Sequence, residues 1–301
     1  MSHAATKSRH WTLLRRGWTL ERGLIGVVLG LLSVAACYRA WADVAYIAWR
    51  DEEASQVWLA PFIFLWLLWV RADALRRTRP EYSFWGPALM MVALPLNVLG
   101  FLSNTEVLWH GSAVLALVAA GLTVVGPRVL QRMVPAVLVL AFVVPVPASV
   151  RQEIAIPLQQ GVAYAAEFVF DLMFLDVERS GNLLIFNGQA AMIAEACNGM
   201  RMMFALLLVS YAFAFGSPLL PSVRAMLLVL APVVAILCNI IRVVPTVILI
   251  GYDPEMLGTL FHDFSAWLML GVAFGMLLGL VRLLRWAEVP VYRPNAALLA
   301  A

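Results

Sequence analysis

At 301 residues, 63% of them hydrophobic and only 13% charged, the chain carries more apolar surface than a water-soluble domain can hide. Its mean hydropathy is +0.87. A net charge of +3, concentrated near the ends of apolar runs, offers no basic face for nucleic acid. The three cysteines, Cys37, Cys197 and Cys238, are an odd number, and two of them sit inside apolar runs, so no disulfide framework is indicated.

The composition implies an all-α polytopic membrane protein in a lipid bilayer, and the apolar runs predict eight transmembrane helices. Residues 1–22 form a basic arm (Lys7, Arg9, Arg15, Arg16, Arg22) expected in the cytoplasm. Residues 24–40 are the first span, read as a retained signal anchor because no small-residue cleavage site follows it. A loop with Asp51, Glu52 and Glu53 leads to a short Trp-rich span over 56–70, closed by Arg71, Arg76, Arg77 and Arg79. Residues 84–102 and 107–125 form a helical pair across the polar turn Ser103-Asn104-Thr105-Glu106. Arg128 and Arg132 precede a fifth span over 134–149.

Residues 158–175 differ. Gln160, Tyr164, Glu167 and Asp171 recur at spacings of four, three and four and share one helical face, with Leu158, Val162, Phe168 and Leu172 among the apolar positions. Two readings fit: an amphipathic helix lying in the membrane interface or lining a cleft, or a bundle helix with one polar stripe. Next, two short runs, 183–186 and 189–193, flank Asn187-Gly188. Both turn residues tolerate positive φ, so a small β-hairpin is expected on the water side of the membrane, leading directly to Cys197.

Three more spans follow, over 200–215, 225–244 and 264–284. About fifteen of the 21 Lys and Arg fall in the N-terminal arm, alternate loops and the C-terminal tail. That bias puts both termini in the cytoplasm and the acidic loops, with the hairpin, on the outer face of a bacterial inner membrane. The whole chain reads as a single membrane domain. Its parts are the arm 1–22, the interfacial helix and hairpin 151–196, the site-bearing helices 197–285 and a cytoplasmic tail 286–301.

This threading sets Cys197 at the outer end of the sixth span, Arg242 near the outer end of the seventh and His262 at the outer start of the eighth. A cysteine at a helix N-terminus gains thiolate character from unpaired N–H groups and the helix dipole. A histidine similarly placed is available as general base and acid. A guanidinium, always charged, suits stabilisation of a tetrahedral oxyanion in a water-poor site. Asn239 precedes Arg242 on the same helical face and Pro245 follows it. Arg201, one turn after Cys197, either lowers the thiol pKa and binds a carboxylate or anchors to headgroups. Glu195 either meets the cysteine or ends the hairpin. Cys37 and Cys238 read as packing residues, and His110, early in the fourth span, has no acidic partner within sequence reach. No metal-ligand spacing and no phosphate-binding glycine loop occur, so neither metal nor cofactor is expected.

Ala196-Cys197-Asn198-Gly199-Met200-Arg201, then Asn239-Ile240-Ile241-Arg242, then His262, in a chain of eight apolar runs, resemble the exosortase/archaeosortase family. The resemblance implies a membrane cysteine transpeptidase acting on C-terminal sorting tails of exported proteins: a short motif such as Pro-Glu-Pro, a transmembrane helix and a basic end. It implies Cys197 as nucleophile, Arg242 as electrostatic partner and His262 as acid/base residue. The acyl-enzyme would pass its product to an acceptor whose identity is unknown, in a system tied to exopolysaccharide and surface proteins. Asn198 departs from the serine commoner at that position. The competing readings are a non-enzymatic scaffold and a transporter for exopolysaccharide or protein export. A transporter would place ionisable groups at mid-membrane depth rather than at one end.

The sidedness is testable in a variant whose only cysteine is Cys197. A membrane-impermeant thiol reagent applied to spheroplasts is expected to label it without opening the cytoplasmic side.

Overall fold

The computed structural model describes residues 17–287 apart from 52–53, 55, 194–199 and 253–258; the side chains of 259–267, 270, 284, 285 and 287 are not described. Helix α1 (Leu20–Ala36) starts where the Thr19 hydroxyl accepts the Arg22 N–H. It does not run on to residue 40. The chain bends by 78° at Cys37 into α2 (Tyr38–Arg50), in the segment expected to begin a loop. Ala40, Val44 and Ala48 recur every fourth residue and are buried, so α2 is amphipathic and packs one stripe against the bundle. Helix α3 (Gln56–Val70) has the expected bounds and is followed by the short α4 (Ala72–Arg77).

Helices α5 (Trp85–Leu102) and α6 (Glu106–Arg132) form the tightest pair. Between apolar helices in lipid there is little hydrophobic drive to associate, so close backbone approach has to supply the attraction. Glycine permits it at both ends. A Cβ on Gly86 would lie 2.4 Å from the Thr123 nitrogen, and one on Gly100 would lie 2.5 Å from the Trp109 nitrogen. Between them Ala93, Ala113, Ala116, Ala119 and Ala120 are buried. Helix α6 breaks at Gly126 (φ 79°, ψ 167°), just before Pro127, where the Glu81 carbonyl oxygen comes too close for a side chain.

The expected fifth span is short. Helix α7 (Val134–Val139) passes into a 3₁₀ turn (Leu140–Val143) and stops at the Val-Pro-Val-Pro run 144–147. The chain then turns by 90° into α8 (Ala148–Leu172), which begins ten residues before the expected amphipathic helix. The polar face is as anticipated, with Gln160, Tyr164 and Asp171 exposed. The apolar face is not. Phe168 and Leu172 are exposed, and the buried stripe is Gln159, Val162, Ala163, Ala166 and Phe170.

The expected hairpin is present as β2 (Leu183–Phe186) and β3 (Gln189–Met192), turning at Asn187 (φ 52°) and Gly188 (φ 74°). A further strand, β1 (Val177–Ser180), pairs with β2 across Gly181-Asn182, so the element is a three-stranded antiparallel sheet in the order β1-β2-β3. Three more helices follow: α9 (Met200–Gly216), α10 (Pro221–Tyr252) and α11 (Thr259–Ala287). Helix α10 packs against both α9 and α11 through Leu227, Val234, Ala235, Cys238, Ala273 and Leu277.

By length and composition α5, α6 and α10 are apolar enough to cross a membrane. The count among described residues rises to five if the bent pairs α1/α2 and α7/α8 each form one span. Helices α3 and α9 and the stretch Gly271–Leu283 of α11 are shorter apolar helices. Large apolar side chains face outward along these elements, among them Leu24, Leu31, Phe62, Leu65, Val92 and Val229, as a lipid-facing belt requires.

Gly100→Ala is expected to force α5 and α6 apart at a cost of about 1–3 kcal/mol. A lowered thermal midpoint in detergent reads this out, with Gly111→Ala, where an added methyl meets nothing, as the neutral comparison.

Candidate active site

The sheet is seated on α8 and on the second half of α10. Leu184, Phe186, Ala191 and Ile193 on one face meet Val162, Ala163, Ala166 and Phe170 of α8 and Val243, Val244 and Val247 of α10. Phe186 is the centre of this contact. Its ring stacks on Phe170 (centroids 6.2 Å apart) and receives the edge of Tyr252 (5.9 Å). Gly251 has to be glycine here, because a Cβ would lie 2.2 Å from the Phe186 ring.

Arg242 sits on α10 beside this contact. It is buried, and its Nη2 donates to Oδ1 of the fully buried Asn239 at 3.0 Å. The Asn-x-x-Arg spacing puts the two on one helical face, as the sequence indicated. The Thr246 hydroxyl donates to the Arg242 carbonyl (2.7 Å), and Pro245 has no N–H to offer the Ile241 carbonyl. A guanidinium held this way is oriented by its neighbours before any ligand arrives.

Cys197, with Glu195, Asn198 and Gly199, lies outside the described residues. The elements on either side of it are described. Asn182 hooks the end of β3: its carbonyl accepts the Ile193 N–H (2.9 Å), and its Nδ2 donates to the Ile193 carbonyl (3.3 Å) and to Oε1 of buried Gln159 on α8 (3.0 Å). Three residues separate Ile193 from Cys197 in sequence. On the far side Met200, the first residue of α9, is fully buried, and half-buried Arg201 follows it.

His262 is the fourth residue of α11, and its side chain is not described. The backbone sets its height. Met276 of α11 touches Cys238 of α10 (S···S 3.3 Å). At 1.5 Å per residue, His262 stands roughly 21 Å along α11 from that contact, and Arg242 roughly 6 Å along α10. Both residues lie toward the same end of the bundle, yet helical register alone leaves roughly 15 Å of height between their α-carbons. The sheet packs along this interval, from Val243 to Tyr252.

Three polar contacts were invisible to sequence reading. His110 is fully buried and finds an acidic partner far off in sequence: Nε2 lies 3.0 Å from Oδ2 of Asp43 on α2, and its ring stacks on Trp109. Sixty-seven residues separate the pair. Asp51 pairs with Arg151, tying the end of α2 to the start of α8. Glu167 pairs with Arg179, tying α8 to β1. At the opposite end of the bundle Arg71 donates to the Phe215 carbonyl (3.0 Å) and the Arg132 carbonyl (3.5 Å), capping α9 and α6 at once.

Residues 48–279, more than three quarters of the chain, match the family model described as Transmembrane exosortase (Exosortase_EpsH). A search of curated proteins found no match, and neither did a search of solved structures.

Asn182→Ala strips a donor from the buried Gln159 oxygen and the Ile193 carbonyl. It is expected to cost about 1–3 kcal/mol, read as faster amide exchange at Ile193 and across β3.

Proposed function

The chain belongs to the transmembrane exosortase family, and on that premise we propose that it is a cysteine peptidase/transpeptidase that cleaves the C-terminal sorting tails of exported proteins. The observation that carries this reading is the pre-oriented Arg242–Asn239 pair, beside a sheet whose last strand leads directly into the segment bearing Cys197. In this reading the chain crosses a bacterial inner membrane eight times, with α2, α8 and the sheet on the periplasmic face. The three long or kinked spans, the two bent pairs and the three shorter apolar helices are the elements that would make up the eight.

The Cys197 thiolate attacks the carbonyl at the cleavage motif, and the new oxyanion is stabilised by the Arg242 guanidinium. Collapse of the intermediate breaks the C–N bond. His262, as imidazolium, gives its proton to the departing amine, which leaves with the transmembrane helix and basic end of the tail. The exported part stays bound as a thioester. An acceptor hydroxyl, amine or water then loses its proton to His262, attacks the thioester and releases the thiolate. Arg201, one turn past Cys197, is placed to favour the thiolate or to hold a substrate carboxylate. In this reading His262 serves the leaving group and the acceptor, and Arg242 the oxyanion.

Co-expression with a protein ending in a Pro-Glu-Pro motif, an apolar helix and a basic tail tests the reading. Cys197→Ala is expected to abolish processing. Arg242→Ala is expected to slow it about 10²- to 10³-fold, and His262→Ala about 10²- to 10⁴-fold. Arg242→Lys, which keeps the charge but loses the planar fork facing Asn239, is expected to fall between wild type and Arg242→Ala. Undiminished processing by Cys197→Ala would sink the reading in favour of a scaffold.

A further inference from the structure

The two edges of the sheet are not alike. In an antiparallel ladder, pairs that exchange main-chain hydrogen bonds alternate with pairs that do not. The Ile193-to-Asn182 bond fixes the phase of the β2–β3 ladder, so Leu184/Ala191 and Phe186/Gln189 are the bonded pairs. The N–H and C=O of Ala190 and Met192 therefore point away from β2, toward the open side of β3. Among the described residues nothing pairs with them, and both residues are exposed, Met192 at 65%.

The other edge is charged. Arg179 on β1 is paired with Glu167 of α8 and lies over the Tyr164 ring (5.6 Å), and Glu178 adds a second charge. Charges and a covering helix are the usual means of blunting an exposed strand. Gln189-Ala190-Ala191-Met192 carries no charge, no proline and no bulge, and although α10 packs against β3, Ala190 and Met192 stay exposed. Two main-chain donor–acceptor pairs one residue apart are the complement of one extended peptide strand and of little else. In sequence, Cys197 follows Ile193 after three intervening residues.

We propose that the open edge of β3, through the main chain of Ala190 and Met192, binds the extended segment around a substrate's cleavage motif by strand addition. This deepens the proposed function and rests on it. The contacts are to backbone, so they position the chain whatever its side chains are. The direction of β3 then delivers the bound strand toward the cysteine-bearing segment. The short side chains of Ala190 and Ala191 keep the edge accessible. The sheet's seat along α10 sets the bound strand in the interval between Arg242 and the start of α11.

The test uses the full-length protein in lipid nanodiscs with a synthetic tail peptide carrying the motif and the apolar helix. Single backbone esters, which remove one N–H each, are scanned through the residues flanking the scissile bond. The proposal expects KM to rise about fivefold to tenfold at every second position, with no change at those between and with kcat retained. A scan that is flat, or that lacks the period of two, overturns it. Ala190→Pro removes an outward N–H without breaking a bond to β2. It is expected to keep the thermal midpoint and raise KM by a similar factor; an unchanged KM in a folded Ala190→Pro protein overturns the proposal. If that variant fails to fold, the ester scan on wild type still decides. A wild-type protein that neither cleaves the peptide nor, as Cys197→Ala, binds it overturns the proposed function and this inference together. Cleavage without the alternation overturns this inference alone.

Discussion

The seating of the Phe186 ring against Phe170, Gly251 and Tyr252 is the contact on which the sheet-bearing end of the molecule depends. A three-stranded sheet of four-residue strands has too little apolar area to hold itself together in water. Here it borrows a core from two helices, and Phe186 is the side chain that reaches both. That loan fixes three things together: the position of β3 relative to Arg242, the orientation of α8 and the entry of the chain toward α9. Gly251 records how closely α10 must approach for the arrangement to close.

The two ends of the bundle are organised on different principles. On the sheet side, chain bends at Cys37 and at the Val-Pro-Val-Pro run turn α2 and α8 away from the helices before them, and acid–base pairs fasten them: Asp43 to His110, Asp51 to Arg151, Glu167 to Arg179. On the other side a single guanidinium, Arg71, satisfies carbonyls at the ends of α6 and α9, groups no helix can satisfy internally. Where lipid surrounds the helices, such groups cannot turn to water, so partners have to come from neighbouring elements. A site at the end of a bundle can exclude bulk water and still admit a chain from outside.

Much of this was legible before any fold was known. The bounds of α3, α5 and α9 followed from apolar runs ending at charges or glycine, and the Asn187-Gly188 turn declared β2 and β3. The Asn239–Arg242 contact follows from a spacing of three on a helix, a purely local matter. Helix α2 was missed because its small buried residues, Ala40, Val44 and Ala48, make a weak apolar stripe beside the charges of a presumed loop. Strand β1 was missed because Val-Glu-Arg-Ser has no apolar alternation; it is a strand only because β2 is there to pair with it. The apolar face of α8 was misjudged for a related reason. In a membrane protein Phe168 and Leu172 gain as much by facing lipid as by facing protein, so hydrophobicity no longer tells inside from outside.

Sequence alone determined that the chain is a membrane protein, where most of its apolar helices lie and that Asn239 and Arg242 share a face, because each of these is written in composition or in spacings shorter than two helical turns. Only the tertiary structure decided that His110 finds Asp43, that Asn182 holds Ile193 to α8 and that β1 is tied to α8 by a charge pair while β3 carries none. Those outcomes turn on which distant segments meet. Burial energy in lipid is nearly indifferent to such pairings, and the geometry of backbone contact and hydrogen bonding is what selects among them.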